Sequence, residues 1–286
     1  MPQRTPTTFG AIEALHDRFV ATMTAPEVWA LLMRSAAVHC LRGPVNVMMI
    51  TAQRPSATDI RTRSEWATLG HQVRQGEPAI CIFTLPEPSR FGVERVDQPW
   101  RPDAQPLVAA DRAREYRTPI QAYTVAEMFD VSQTSAAHDE QYRRMRQRLA
   151  APALPVDFVE RRAVYELQTL GAADVDTSVE PDEQSALTRL QDLARAWVQE
   201  DRECPTPEDQ EALALSAAHV VARMAGMRNT GPVPVPRLTG DPVEGGNSRI
   251  KVAATYVIRT AHSISDLITE QCPCCGELID QCVQVT

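Results

Sequence analysis

The sequence predicts an α+β fold, in which N-terminal helices pack on a small antiparallel sheet and a mostly α-helical C-terminal domain follows. Apolar residues recur at helical spacing in residues 8–40 and again in 156–269. Two short runs rich in β-branched and aromatic residues, 79–85 and 123–130, lie between these regions and predict strands. The chain has 286 residues, 43% of them hydrophobic, which is enough to build two buried cores.

The first three predicted helices have clear start and stop signals. Residues 8–22 form one apolar face at helical spacing, and Pro26 begins a second helix that runs to residue 40. Pro44 begins a third, short helix, because the fixed φ of proline suits a first turn. This helix ends at Arg54, since the proline that follows disfavours the α conformation of the residue before it.

The stretch after the third helix predicts a short helix, a turn and a strand. The helix is centred on Trp66, and Gly76-Glu77-Pro78 forms the turn that leads into the strand 79–85. Residues 86–118 are rich in proline and charge and predict an irregular insertion. Within the insertion, residues 91–96 are a candidate return strand of a hairpin.

The C-terminal half predicts a charged helix over residues 138–149 and a proline-rich joint at 151–155. Helical spacing then recurs in four segments: 156–170, 183–200, 207–226 and 248–269. We place the domain boundary at the joint. The predicted parts are a domain of residues 1–136, a charged helix and joint of 137–155, a helical domain of 156–270 and a cysteine-rich tail of 271–286.

Charge is distributed unevenly along the chain. Residues 1–136 contain 14 arginines and 14 acidic residues, whereas residues 137–286 account for the whole net charge of −8. Within residues 34–74, six arginines stand against two acidic residues, an excess of +4. A local basic stripe is enough to guide a phosphate backbone, because steering depends on the nearby field. A solvated helix surface is the alternative that charge alone leaves open.

Several short motifs occur in order between residues 46 and 134. They are Asn46, Ala52-Gln53-Arg54-Pro55, Trp66-x-x-Leu69-Gly70, Val73-Arg74-x-Gly76-Glu77, Ala79-Ile80-x-Ile82 and Met128-Phe129-Asp130-Val131-Ser132-Gln133-Thr134. Together they resemble the N-terminal domain of ArdC-type antirestriction proteins over about residues 10–136. The resemblance implies a single-stranded DNA-binding module. The implied setting is plasmid conjugation or phage entry, in which incoming DNA is protected from host restriction.

The charge pattern and the resemblance indicate one nucleic-acid-binding stretch. A single strand requires cations for its phosphates and flat side chains on which its bases stack. The candidate residues are Arg54, Arg61, Arg63, Trp66, His71 and Arg74. For Trp66 the alternative is a core position, at helical spacing with Leu69 and Val73. Gln53 and Asn46 are candidates for polar contacts, and Asn46 alternatively caps or bridges the start of its helix.

The chain departs from the family pattern in its second half. Many ArdC-type proteins carry a zinc-metallopeptidase-like domain there, with a His-Glu-x-x-His helix. Such a site needs two histidines one helical turn apart with a glutamate between them. None of the six histidines has a histidine four residues later, so we expect no enzyme activity. Residues 208–226 are similar to a later helix of the family, in which Glu211 would be the relic of a zinc ligand.

The C-terminal tail is the remaining candidate for metal binding. Cys272-Pro-x-Cys275-Gly276 has the form of half a zinc knuckle. A closed site needs four ligands, and Cys282, Cys274 or His262 are the further candidates, as is a second chain. Zinc at Cys272, Cys275 and Cys282 is therefore one interpretation, and a mobile, redox-sensitive tail is the other. Under either interpretation of the tail, we expect DNA binding to require no cofactor.

From the sequence we expect a cytoplasmic protein that binds single-stranded DNA without sequence specificity. No apolar run approaches the ~20 residues that a membrane helix needs, and the first residues lack the apolar core of a signal peptide. The alternative is a protein-interaction module, in which the acidic C-terminal half binds a host or replication protein and the N-terminal domain is scaffold. Affinity for single-stranded DNA that falls steeply with salt favours the first function.

Overall fold

A computed structural model describes residues 9–84, 124–149, 154–171, 181–201, 204, 209–228, 230–231, 233–237 and 249–269. Helices predominate in this part of the chain, together with a three-stranded antiparallel sheet. The predicted α+β class is therefore confirmed. The candidate return strand at 91–96 lies outside the described residues, as do the cysteines of the tail.

Three helices open the fold: α1 (Phe9–Thr22), α2 (Pro26–Val38) and α3 (Pro44–Gln53). Both α2 and α3 begin with proline, as the sequence predicts. Arg54 follows α3 in an extended conformation, with φ −151° and ψ 82°, because the next residue is a proline.

The sheet is built from β1 (Ile60–Arg61), β2 (Ile80–Thr84) and β3 (Thr124–Asp130), in the order β1-β3-β2. Helix α4 (Arg63–Thr68) follows β1 and starts with a capping box between Thr62 and Glu65. In the antiparallel register, Ile60 lies opposite Asp130 and Ile80 opposite Met128. Strand β1 was not predicted, because two residues are too few to show an alternating pattern.

The chain leaves β3 through two short 3-10 helices, Val131–Gln133 and Ser135–His138. Five α-helices follow, and each matches a predicted helical segment apart from residues at its ends. They are α5 (Glu140–Leu149), α6 (Val156–Thr169), α7 (Glu183–Glu200), α8 (Gln210–Met224) and α9 (Arg249–Thr269). Among the described helices, none combines the length and the apolar character needed to cross a membrane.

The largest core joins the two halves of the chain. Buried residues of α2, such as Trp29 and Leu32, belong to the same cluster as Leu190 of α7 and Leu213 of α8. The indole Nε1 of Trp29 donates a hydrogen bond to Ser216 Oγ at 3.1 Å. The largest cluster therefore crosses the predicted boundary at 137–155, whereas a smaller cluster around Ile50, Ile60 and Ile82 lies within the N-terminal half.

Helix α3 closes the outer edge of β2 with two side-chain amides. Asn46 donates from Nδ2 to the Phe83 carbonyl at 2.8 Å and accepts from the Phe83 N–H at 2.9 Å. Gln53 forms the same pair of bonds with Cys81, at 2.8 Å and 2.9 Å. The two amides replace a neighbouring strand along this edge, which would otherwise present unpaired backbone groups. Asn46 therefore does not cap its helix.

Candidate nucleic-acid interface

Asp130, at the end of β3, is the buried centre of the predicted site. Its side chain is about 1% exposed and accepts hydrogen bonds from the N–H groups of Thr58, Asp59 and Ser132, at 2.7, 3.2 and 2.9 Å. The Ser132 hydroxyl donates to the same carboxylate. Burial would raise the pKa of Asp130, but these hydrogen bonds outweigh it and hold the pKa below its ordinary value.

Arg54 and Arg74 converge on Ser132 from different parts of the fold. Arg54 Nη2 donates to Ser132 Oγ at 3.0 Å, and its Nε lies 4.0 Å from Asp130 Oδ2. Arg74 Nη2 donates to the Ser132 carbonyl at 2.6 Å. The structure therefore brings together the two arginines that lie at the edges of loops, and it fixes both against the turn that follows β3.

Arg74 is also paired with an acid of its own. Its Nε and Nη2 both donate to Glu77 Oε1, at 3.1 Å and 2.6 Å. The hydrogen bond from Arg74, with a further bond from Gln133, keeps the pKa of Glu77 below its ordinary value. The turn between these residues includes Gly76, whose φ of +82° is in the left-handed region that favours glycine. Nearly half of the Arg74 side chain is exposed.

Arg61 and Arg63 form a second group beside α4. Arg61 Nε lies 3.2 Å from Asp59 Oδ1, and its guanidinium carbon is 5.6 Å from the centre of the Trp66 ring. The guanidinium carbon of Arg63 is 4.7 Å from the centre of the Phe129 ring, in a cation–π contact. Arg63 is exposed, whereas Phe129 is buried. Of the four arginines, Arg63 and Arg74 are exposed, whereas Arg54 and Arg61 are partly buried.

Tyr142 holds the acid that pairs with Arg61. Its hydroxyl donates to Asp59 Oδ2. Burial and the neighbouring carboxylate raise the pKa of Tyr142 to about 12, so the hydroxyl keeps its proton at neutral pH. The ring of Tyr142 also packs against those of Trp66 and His71, with centres 5.6 and 4.9 Å away. Helix α5 is thereby attached to the sheet.

Trp66 and His71 are not stacking platforms in this structure, which corrects the sequence-based expectation for both. Trp66 is fully buried, and its indole Nε1 donates to the Phe129 carbonyl at 2.8 Å. The core alternative for Trp66 is therefore confirmed. His71 is buried against Tyr142, and its Nε2 lies 3.8 Å from Asp139 Oδ2. A base cannot reach the Trp66 ring without displacing these neighbours, and little of the His71 side chain is exposed.

The sequence indicates the arginines of the site, and the structure adds the acids with which they pair. Glu77 follows Arg74 by three residues, a spacing at which ion pairs form, and this signal could have been read. Asp130 and Gln133 have the spacing of a capping box, which they form. The role of Asp59 depends on Tyr142, far away in the chain, and no local pattern indicates it. The two amides of α3, which the sequence offers as candidates for polar contacts with DNA, bind strand β2.

The metal-binding expectations concern other parts of the chain. Cys272, Cys275 and Cys282 lie outside the described residues, so zinc at the tail stays a prediction. Glu211, the suggested relic of a zinc ligand, is instead paired with Arg195, whose Nη2 lies 2.9 Å from Glu211 Oε1. His262 lies on α9, where burial lowers its pKa. Within the described ranges, no three His, Cys, Asp or Glu side chains are placed to hold a metal ion.

Comparisons with protein-family models, with curated proteins and with solved structures found no match. Residues of the short motifs between 46 and 134 share a structural role. Asn46 and Gln53 close the sheet edge, Trp66 supports β3, and Arg54 and Arg74 bind the turn after it. The motifs therefore describe one hydrogen-bonded unit of the fold.

Proposed function

We propose that this protein binds single-stranded DNA without sequence specificity, through the surface around the turn that follows β3. The observation that supports this proposal is the convergence of Arg54 and Arg74 on Ser132. Two guanidinium groups beside one turn offer planar, forked donors of the geometry that phosphate oxygens accept. Two further cations lie near Asp130. Arg61 pairs with Asp59, whose N–H binds Asp130, and Arg63 lies over the ring of Phe129, the residue before Asp130.

Phosphates would bind this surface by competing with carboxylates that already hold the arginines. Arg74 is held by Glu77, and Arg61 by Asp59. A phosphodiester that takes the place of Glu77 keeps the two donors of Arg74 satisfied, so the exchange costs little in hydrogen bonding. Asp130 is different, because it is buried and has four donors of its own. It would remain in place and keep Arg54 and Ser132 positioned.

The biological setting that we propose follows from the resemblance to ArdC-type antirestriction proteins. Single-stranded DNA enters a recipient cell during conjugation, and a protein bound to it without regard to sequence would cover restriction sites. The proposed role is therefore protection of incoming plasmid or phage DNA in the cytoplasm. We propose binding without catalysis, because the sequence has no His-Glu-x-x-His motif.

The proposal is tested with the full chain, since the halves share a core. A labelled single-stranded oligonucleotide is titrated by fluorescence anisotropy, and an unlabelled duplex of the same sequence is added as competitor. We expect saturable binding that the duplex displaces poorly, and equal affinity for oligonucleotides of scrambled sequence but equal composition. Absence of binding at low salt, or equal competition by the duplex, would contradict the proposal.

A second candidate function is a protein-interaction module. The observation that favours it is the charge of −8 carried by residues 137–286, while residues 1–136 are neutral. Such a surface would suit a basic protein partner of the host or of a replication complex. Weak DNA binding together with a stoichiometric protein complex, lost when salt is raised, would favour this function over the first.

A further inference from the structure

Arg63 and Phe129 form a cation–π pair beside α4. The guanidinium carbon of Arg63 lies 4.7 Å from the ring centre of Phe129, which is almost completely buried. The guanidinium group thus lies over the ring, and Arg63 as a whole is exposed. Guanidinium planes are surfaces on which unpaired bases stack, as aromatic rings are.

The Arg63–Phe129 pair lines a shallow, open depression of about 520 Å³. Its wall combines apolar and polar groups. The lining residues are Thr62, Arg63, Ser64, Ala67, Glu127 and Phe129. The hydroxyls of Thr62 and Ser64 are 3.0 Å apart at one side. Glu127 is exposed on β3, two residues before Phe129 and thus on the same face of the strand.

The parts of this depression are fixed by neighbouring contacts. Arg63 occupies the first turn of α4, which the reciprocal capping bonds of Thr62 and Glu65 hold in place. Phe129 is fixed by pairing with Arg61 across β1 and β3, and by the hydrogen bond from Trp66 to its carbonyl. The buried Trp66 thus supports a stacking surface, although it does not form one itself.

We propose that this depression is a subsite for one unpaired nucleobase, which stacks on the Arg63 guanidinium and donates an exocyclic amino group to Glu127. An ionised carboxylate only accepts hydrogen bonds. Cytosine, adenine and guanine each carry an exocyclic amino group, whereas thymine has none and offers only one ring N–H between two carbonyl oxygens that the carboxylate repels. The subsite therefore prefers a base with an amino group to thymine at one position. It reads no sequence beyond that base, which is consistent with the proposed function on which this inference rests.

The test uses the full chain and two labelled homopolymers of equal length, one of deoxycytidine and one of thymidine. We expect the deoxycytidine strand to bind about five- to tenfold more tightly, the lower part of the range for a base-specific contact. In Glu127→Gln the side chain both donates and accepts, so the ratio of the two affinities should approach one. Arg63→Lys, which keeps the charge and loses the plane, should weaken both strands and reduce the ratio.

The outcomes separate this inference from the proposed function. Salt-dependent binding with equal affinity for both strands would overturn the base subsite and leave the proposed function standing. A preference for deoxycytidine that persists in Glu127→Gln would also overturn it, because the flexibility of the strands would then explain the ratio. No binding of either strand would overturn both.

Discussion

Arg54 and Arg74 both donate to Ser132, Arg54 to the hydroxyl at 3.0 Å and Arg74 to the carbonyl at 2.6 Å. One arginine ends α3 and the other lies beyond α4, so the turn after β3 connects two separate parts of the N-terminal region. Each arginine also has an acid within reach, Asp130 for Arg54 and Glu77 for Arg74. The pair is therefore close to neutral, and the proposed DNA binding depends on how readily phosphate displaces Glu77 from Arg74, since Asp130 stays in place.

Glu77→Gln should strengthen binding of single-stranded DNA. The substitution removes a negative charge 2.6 Å from Arg74 Nη2 and leaves a side chain of the same shape. Partly exposed ion pairs of this kind are worth about 0.2–1 kcal/mol, so we expect affinity to rise by up to about fivefold. Anisotropy titration measures the change. Glu140→Gln, which removes an exposed acid paired with Arg143 on α5, is the matched control. Weaker binding by Glu77→Gln would mean that Glu77 positions Arg74 instead of competing with DNA.

Trp66→Phe should lower stability and leave DNA affinity nearly unchanged. The variant loses the donor to the Phe129 carbonyl and leaves a small cavity, at a cost of about 1–3 kcal/mol in the free energy of unfolding. Urea denaturation measures this loss. Affinity measured where the variant is folded should stay within about twofold of wild type. A loss of tenfold or more would contradict a role for Trp66 that is limited to stability.

Asn46→Leu should open the edge of β2. The substitution removes the two hydrogen bonds between the Asn46 amide and the Phe83 backbone, which costs about 1–3 kcal/mol. Hydrogen exchange of the Phe83 amide should accelerate, and the variant should aggregate more readily through the exposed edge. Gln72→Leu, at an exposed position, is the control. Unchanged exchange at Phe83 would show that the Asn46 amide does not protect this edge in solution.

Asp130→Asn should reduce stability at neutral pH and flatten its acid dependence. The pKa of Asp130 is below its ordinary value in the folded protein. Its contribution is therefore fully present above the unfolded pKa, about 3.9, and is lost as pH falls through the lower folded pKa. Removal of the charge should cost about 2–4 kcal/mol at pH 7, since four donors and Arg54 face the carboxylate.

Thermal unfolding between pH 2 and 7 checks this prediction about Asp130. The wild type should lose stability more steeply than the variant below about pH 4. Asp157→Asn, which removes an exposed acid paired with Arg161, should change stability by less than about 1 kcal/mol. If the stability of wild type and of Asp130→Asn fell equally steeply below about pH 4, the assigned role of Asp130 would be wrong.

The sequence was sufficient for the helices and the fold class because their signals are local. Pro26 and Pro44 mark helix starts, and apolar spacing continues for several turns in each helix. Strand β1 could not be predicted, because it has two residues and forms only through its pairing with β3. The core shared by the two halves could not be predicted either. The hydrogen bond from Trp29 to Ser216 joins residues that are far apart in the chain and belong to no common sequence motif.

The candidate site was predictable in part. Arg54 and Arg74 stand out as cations at loop edges, but their common partner, Ser132, lies in another motif. An aromatic residue at helical spacing is equally compatible with a core position and with a stacking surface. The complete burial of Trp66 in the structure identifies it as a core residue. The subsite beside Arg63 depends on Phe129 and Glu127, which a different strand supplies.

The most direct test of the account is the salt dependence of single-stranded DNA affinity for the full wild-type chain and for Arg54→Ala/Arg74→Ala. Each phosphate contact contributes about 0.7 to the slope of log K against log salt for single strands. We predict a steep slope for wild type and a slope reduced by about 1–1.5 in the double variant, with weaker binding. Arg161→Ala, which removes an exposed arginine of α6, should keep the wild-type slope. If the double variant binds with unchanged affinity and slope, the turn after β3 is not the DNA-binding surface.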